Sequence, residues 1–173
     1  MRIGRATFGR YQRRRLARVR KAAMAAFRLL PAPVRRAAVH AGAPSYTVGA
    51  VAVLRRPDGC LLLVDQRHSD GWALPGGLLS RGESAVAAVV REVREEVGVD
   101  LDPATLPVPY AVVTAPVRRV DVVFTVDVGA DVVARQEDDA EVKRIGWYSL
   151  DALPSLSRPT GDILRAIGVL PAR

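Results

Sequence analysis

The sequence has a single cysteine among its 173 residues, Cys60, so no intramolecular disulfide can form. It lies in the apolar run Cys60-Leu61-Leu62-Leu63-Val64 and reads as a small core residue in a reducing compartment, which makes a cytoplasmic location the expectation. Long apolar runs are also missing. The longest, Ala22 to Phe27, is interrupted by Arg28, far short of the roughly 20 residues a membrane-spanning helix requires and a poor match to a signal-peptide core. Lysine is nearly absent: two of the 26 basic residues are Lys and the rest Arg. Acid is wholly absent from residues 1–45, which hold eleven Arg and one Lys, whereas residues 46–173 hold 14 basic and 18 acidic side chains. The two segments therefore carry +12 and −4, and the net charge of +8 describes the N-terminal arm, not the body. No internal repeat or long low-complexity segment is present. What remains is an ordinary globular composition, 49% hydrophobic and 25% charged, long enough for one domain with a real core plus an appendage.

Residues 1–45 read as a basic helical arm and linker, and residues 46–173 as the domain. Leu16, Val19, Ala23, Ala26, Phe27 and Leu30 recur at helical spacing, predicting a helix over 10–30 that Pro31 and Pro33 end. Residues 31–45 read as a linker with a short helical piece at Val34–His40. The body opens with a Val-rich strand at Thr47–Leu54, a turn at Arg56-Pro57-Asp58-Gly59 and a returning strand at Cys60–Gln66, hence a hairpin. A glycine-rich loop at Gly71–Gly82 precedes the clearest helix, Ser84–Val97, which Gly98 terminates. Strands follow at Val108–Thr114, Val120–Val128 and Ile145–Tyr148, and a closing helix at Pro159–Ile167. The mixture lacks regular βαβ alternation and points to an α+β fold with a mixed sheet.

Chemistry concentrates on the main helix. Glu92, Glu95 and Glu96 stand at i, i+3 and i+4, so they share one face, while Val89, Val93 and Val97 share another. Three like charges on one turn repel, and nothing structural is gained by that alone. Divalent cations would turn the cost into a binding site, and Mg²⁺, which favours hard oxygens and retains several waters, suits a few carboxylates completed by substrate phosphates.

The stretch Gly77–Val99, GLLSRGESAVAAVVREVREEVGV, resembles the Nudix box. Every fixed position of that pattern is met: Gly77, Glu83, Arg91, Glu92, Val93, Glu95, Glu96, Gly98 and Val99. The lead-in Trp72-Ala73-Leu74-Pro75-Gly76-Gly77 and the later Trp147-Tyr148-Ser149-Leu150-Asp151-Ala152-Leu153-Pro154 also resemble the family, over about residues 46–170. The resemblance implies an α/β/α sandwich around a mixed sheet and Mg²⁺-dependent (Mn²⁺ in its place) hydrolysis of a pyrophosphate linkage. It implies Glu92, Glu95 and Glu96 as metal ligands, with a backbone carbonyl at Gly76 or Gly77 beside them, Arg91 orienting a glutamate, and Glu83 structural or a secondary metal contact. The catalytic base stays open between Glu92 and Glu141. The latter belongs to an acidic loop, Glu137, Asp138, Asp139 and Glu141, that otherwise reads as a solvent-facing turn.

Arg67, Trp72 and Arg118 are candidate substrate contacts, with His68 and Arg119 beside two of them. Packing is the plainer reading for Trp72, and a charged surface for the rest. His40 carries no signal. The motifs that mark coenzyme A- and NADH-cleaving members are absent. Pro116, 17 residues beyond Val99, comes near the proline of the ADP-ribose group. The substrate expected is therefore ADP-ribose or a nucleoside diphosphate sugar. Nucleoside triphosphates or an RNA 5′ pyrophosphate are alternatives, as is an inert ligand-binding regulator on the same fold. The arm has three readings: a packed helix, including a homodimer contact, an RNA-binding polycation, or an amphipathic helix on an anionic membrane.

Overall fold

The structure, a computed structural model, describes residues 21–138 and 140–172. Contacts divide the chain at Ser45/Tyr46 into two units. In the first, residues 21–29 are helical (α1) and Ala32–Gly42 form a second helix (α2). The remainder of the helix expected over 10–30 lies outside the described residues. The short helical piece expected at Val34–His40 within residues 31–45 lies inside α2, which is longer by two residues at each end, and the prolines explain both the end of α1 and the start of α2. Pro31 has no N–H with which to continue α1, yet it is the N-cap of α2, with Pro33 in the first turn where a missing N–H is no loss. No residue of α2 is buried. No helix among the described residues is long and apolar enough to cross a membrane.

The second unit is built on a seven-stranded mixed sheet. Strand β1 (Thr47–Arg55) runs parallel to β6 (Arg119–Asp127) over its whole length, and β5 (Tyr110–Thr114) pairs antiparallel with β6 on the far side. The hairpin between β1 and β2 (Leu61–Gln66) is only partly as expected. The turn is present, with the Arg56 N–H donating to the Cys60 carbonyl, but a single pair, Arg55 with Leu61, joins the two strands. They then diverge. β2 pairs along its length with β7 (Val142–Tyr148) and at its other edge with β3 (Trp72–Ala73), while β4 (Gly76–Leu78) takes the open edge of β1. Strands of two and three residues inside a glycine-rich segment carry no readable alternation, so the sequence reads them as loop. β7 begins three residues before the expected Ile145 because its polar start is held across the strands. Asp65 on β2, itself buried, accepts from Nε and Nη2 of its register partner Arg144 at 3.0 and 2.7 Å.

Both faces of the sheet are covered, which is why β1 and β2 are near-continuous apolar runs. Ala50, Ala52, Leu54, Leu62, Val64 and Phe124 pack with Ala88, Val89, Val93 and Val97 of α3 (Ala85–Val97). The alternate residues Val51, Val53, Leu61, Leu63 and Val123 pack with Ile163 and Leu164 of α4 (Arg158–Ala166). The result is the expected α/β/α sandwich. Helix α3 is well terminated: the Ser84 hydroxyl accepts from the Ala87 N–H at 3.1 Å, and Gly98 adopts φ 64°, donating to the Arg94 carbonyl. A side chain at Gly98 would be strained in that conformation and would meet Glu137. Gly98→Ala is therefore expected to cost about 1 kcal/mol and lower the melting temperature by roughly 2–4 °C, read by thermal denaturation.

Candidate active site

The three carboxylates of α3 do not share one environment. Each residue advances about 100° around a helix, so Glu96, three residues after Val93, falls at the margin of the buried stripe, whereas Glu95 faces outward. Glu96 is 3% exposed, and the side chains of Glu92 and Glu95 are 15% and 56% exposed. Glu96 accepts hydrogen bonds from Gln66 Nε2 at 2.7 Å and from the Gly76 N–H at 2.8 Å, which ties α3 to both β2 and β4. Burial pushes its carboxyl up to about 7. Those two hydrogen bonds oppose the shift, and the charges of Glu92 and Glu141 add to it.

Arg91 binds the remaining acids together. Its Nε and Nη2 fork onto the two oxygens of Glu83 at 2.9 and 3.0 Å, and its Nη1 reaches Glu92 at 2.8 Å and Glu95 at 3.1 Å. Such bidentate, charge-assisted pairing is the geometry arginine offers and lysine does not. The fork and a hydrogen bond from the Ser80 N–H hold the Glu83 carboxyl down to about 2, and the hydrogen bonds to Glu83 foremost, then Glu92 and Glu95, raise Arg91. Glu92 is raised by burial in spite of Arg91. Both oxygens of Glu83 are thus engaged by the Arg91 guanidinium.

The loop before α3 passes close to these acids. Gly76 has φ 141°, and a Cβ there would strike the backbone of β1; a Cβ on Gly77 would run into the Glu92 carboxylate. Together these residues line an open cleft of about 470 Å³ that includes Gln66, His68, Gly76, Gly77, Glu92, Glu96, Arg119 and Glu141. A chamber of about 210 Å³ adjoins it on the α4 side, sharing Gln66, His68, Gly76 and Arg119, with Leu74, Thr160 and Ile163 among its walls.

Of the residues singled out in the sequence, the structure therefore brings Gly77, Arg91, Glu92, Glu96 and Glu141 to one cleft. Glu95 stays on the exposed flank, joined through Arg91. In the acidic loop, the Asp138 carboxylate accepts from the Ala140 and Glu141 N–H groups and shapes the turn, Glu137 lies by Gly98, and Asp139 lies outside the described residues. Arg67, Trp72 and Arg118 do not line the cleft. Arg67 is exposed, its N–H donating to the Glu141 carbonyl. Trp72 packs edge-on against Tyr148, with ring centres 4.9 Å apart. Arg118 is exposed, with φ 50°, and its carbonyl accepts from Thr47. Their neighbours His68 and Arg119 line the cleft instead. Alternation along β6 could have found Arg119, because it shares a face with Asp121 and Val123.

Among the described residues, no group of three or more His, Cys, Asp or Glu side chains stands together as a closed metal cage. The donor chemistry nevertheless fits a magnesium-like ion, which takes one or two carboxylates and leaves the rest of its shell to water and phosphate. Glu92 and Glu96 offer those two carboxylates at the cleft wall, and the charge of Glu92 adds to the upward shift of Glu96, so a cation between them would be favoured electrostatically.

Comparison with known proteins bears on the same region. The chain is 34% identical over 140 residues to the human 8-oxo-dGDP phosphatase NUDT18, covering 79% of this chain and 41% of that protein. It is 31% identical over 120 residues to the NAD-capped RNA hydrolase NudC of Pseudomonas aeruginosa, covering 65% and 40%. It thus spans less than half the length of these curated relatives. The crystal structure of a MutT NUDIX hydrolase from Burkholderia pseudomallei superposes with a TM-score of 0.59 at 30% identity, covering 70% of this chain and 98% of that one. The NUDIX domain model matches residues 45–167, the whole sheet, both covering helices and the acid-lined cleft, and this chain belongs to the Nudix family.

Proposed function

We propose that this protein hydrolyses the pyrophosphate linkage of a nucleoside diphosphate derivative, using Mg²⁺, or Mn²⁺ in its place, held by Glu92 and Glu96. The observation that carries this reading is the meeting of Glu92, Glu96 and Glu141 at one open cleft, with Arg91 neutralising the flank. Glu95 acts as a supporting charge on the outer side. When bound, the cation neutralises phosphate oxygens and favours attack by water. Arg91 keeps the Glu92 carboxylate in place, and the Gly76 N–H and Gln66 do the same for Glu96. Glu141 takes a proton from the attacking water. The water oxygen bonds to one phosphorus as the bridging P–O bond breaks, giving a nucleoside monophosphate and a phosphorylated remainder. Because Glu141 is exposed and its side chain has no ion-pair partner among the described residues, it suits proton transfer better than Glu92, which Arg91 holds.

ADP-ribose and nucleoside diphosphate sugars stand first as substrates. The acid-lined cleft continues into the chamber beside α4, which favours a pyrophosphate carrying an organic group on each side, and Pro116 occupies the single turn between β5 and β6. The names of NUDT18 and NudC each specify a nucleotide derivative, 8-oxo-dGDP in one and NAD-capped RNA in the other. The segregated charge of residues 1–45 favours a second reading, an RNA 5′ pyrophosphohydrolase; salt-sensitive RNA binding lost on deletion of residues 1–45 would support it. The test is a Mg²⁺-dependent panel of ADP-ribose, sugar nucleotides, dinucleoside polyphosphates and deoxynucleoside triphosphates. Turnover of none would favour a ligand-binding regulator. With the best substrate, Glu141→Gln is expected to lower kcat by about 10²-fold or more while the stabilisation conferred by Mg²⁺ persists. Loss of that stabilisation instead would make Glu141 a metal ligand.

A further inference from the structure

Arg119 and Asp121 form a charged pair at the waist between the acid-lined cleft and the chamber under α4. Asp121 is 2% exposed, and its Oδ1 accepts from Arg119 Nε at 2.8 Å and lies 2.7 Å from Nη2. In β6 the two residues are i and i+2, so both point to the α4 face of the sheet. Across from Asp121 in the parallel register stands Gly49, where a Cβ would come within 2.7 Å of Asp121 Oδ1 and 2.9 Å of Arg119 Nη2. The central strand is therefore stripped of its side chain at the one point where the pair passes. Arg119 lines both cavities, and a third of its side chain stays exposed.

A buried carboxylate with one cationic partner is a weak source of stability, because the desolvation of both ions offsets their attraction. It is, however, an effective way to fix a guanidinium in direction. One edge of Arg119 is occupied by Asp121. Among the described residues no partner is seen for Nη1, which leaves planar N–H donors for an anion in the cleft. The rest of the cleft wall carries Glu92, Glu96 and Glu141, with Arg91 already paired to Glu83, Glu92 and Glu95, and His68 and Arg119 are the basic side chains shared by cleft and chamber.

We infer that Arg119, aimed by Asp121 through the space left by Gly49, grips the phosphoryl group adjoining the organic moiety that enters the α4-side chamber. Arg119 is then a substrate-binding residue and Asp121 a positioning residue. This rests on the pyrophosphohydrolase reading but can be tested apart from it, by binding. The probes are ADP, AMP and adenosine, titrated by calorimetry into the full chain with Ca²⁺ in place of Mg²⁺. Wild type should bind ADP more tightly than AMP and AMP more tightly than adenosine. Arg119→Gln should weaken ADP by about 10- to 100-fold and leave adenosine unchanged. Arg119→Lys should recover only part, since an ammonium keeps the charge but not the fork. Asp121→Asn should weaken ADP less than Arg119→Gln, and the double variant Arg119→Gln/Asp121→Asn should be no weaker than Arg119→Gln alone. Because Arg119→Gln leaves Asp121 buried and unpaired, the double variant also serves as the well-folded control. In turnover, Arg119→Lys should raise KM by more than it lowers kcat.

Unchanged ADP affinity in a folded Arg119→Gln or double variant would overturn the inference and leave the pair merely structural. If no pyrophosphate substrate is turned over yet ADP binding still depends on Arg119, the hydrolytic reading falls and this one stands.

Discussion

Glu96→Gln is expected to abolish turnover, by about 10³-fold or more, while making the metal-free protein more stable at pH 8. The two effects have one cause. Glu96 is buried and its carboxyl is raised to about 7 from an ordinary 4.5. A carboxyl whose folded value is raised favours folding while it stays protonated. Its contribution is complete below the unfolded value and is lost as pH rises through the folded one. Metal-free wild type should therefore lose stability between about pH 4.5 and 7, and should recover it above pH 7 when Mg²⁺ binds the ionised group. The amide cannot ionise. If the Gln66 amide turns over, the oxygen of the substituted side chain still accepts from the Gly76 N–H, so both groups remain paired. Thermal melts of both proteins from pH 5 to 8, with and without Mg²⁺, read the effect. A wild-type melting temperature that climbs from pH 5 to 7 without metal would contradict it.

The second large effect is expected at Arg91. Among the described residues it is the one cation in direct contact with Glu83, Glu92 and Glu95 together. Removing its charge with Arg91→Met leaves the carboxylates of Glu92 and Glu95 on one turn of α3, and that of Glu83 in the loop before it, repelling one another without a shared cation. Its side chain is 33% exposed, so solvent screens part of the loss, and a destabilisation of about 2 kcal/mol is expected. Glu83 should show it directly. Its carboxyl, held down to about 2 by Arg91 first and then by the Ser80 N–H, should titrate near the ordinary range in the variant, as NMR of the side-chain carbon would report. For a depressed carboxylate the favourable contribution is present above its unfolded value and is lost as pH falls toward the folded one. Wild type should therefore lose this part of its stability between about pH 4.5 and 2, and the variant should not. kcat should fall by about 10²-fold, since Glu92 is no longer held. Arg91→Lys should recover charge without the fork, and only part of the rate.

The motif from Gly77 to Val99 was legible because its chemistry is local. A helix sets the spacing of Glu92, Glu95 and Glu96, Ser84 and Gly98 cap it, and Arg91 reaches acids eight residues back and one and four ahead. No distant part of the chain has to be known for any of this. The layers were legible for a similar reason, since apolar runs such as Ala50–Leu54 and Leu61–Val64 declare strands covered on both faces.

Where reading the chain fell short, the deciding contact joined residues far apart. β2 departs from β1 because Leu61–Gln66 pairs with Val142–Tyr148, some eighty residues away. That Glu96 is buried, and Glu95 is not, depends on Gln66 and Gly76 closing over the former. That Arg119 and His68, rather than Arg118 and Arg67, line the cleft depends on how the strand ends are held: the Arg67 N–H donates to the Glu141 carbonyl in the turn after β2, and the carbonyl of Arg118, which adopts φ 50°, accepts from the Thr47 N–H just before β6 begins at Arg119. Sequence by itself determined the helix, its acids and the family. Only the tertiary structure decided which acid is buried, which arginine faces the cleft and where the cleft leads, because those properties belong to pairings between segments and not to any one segment.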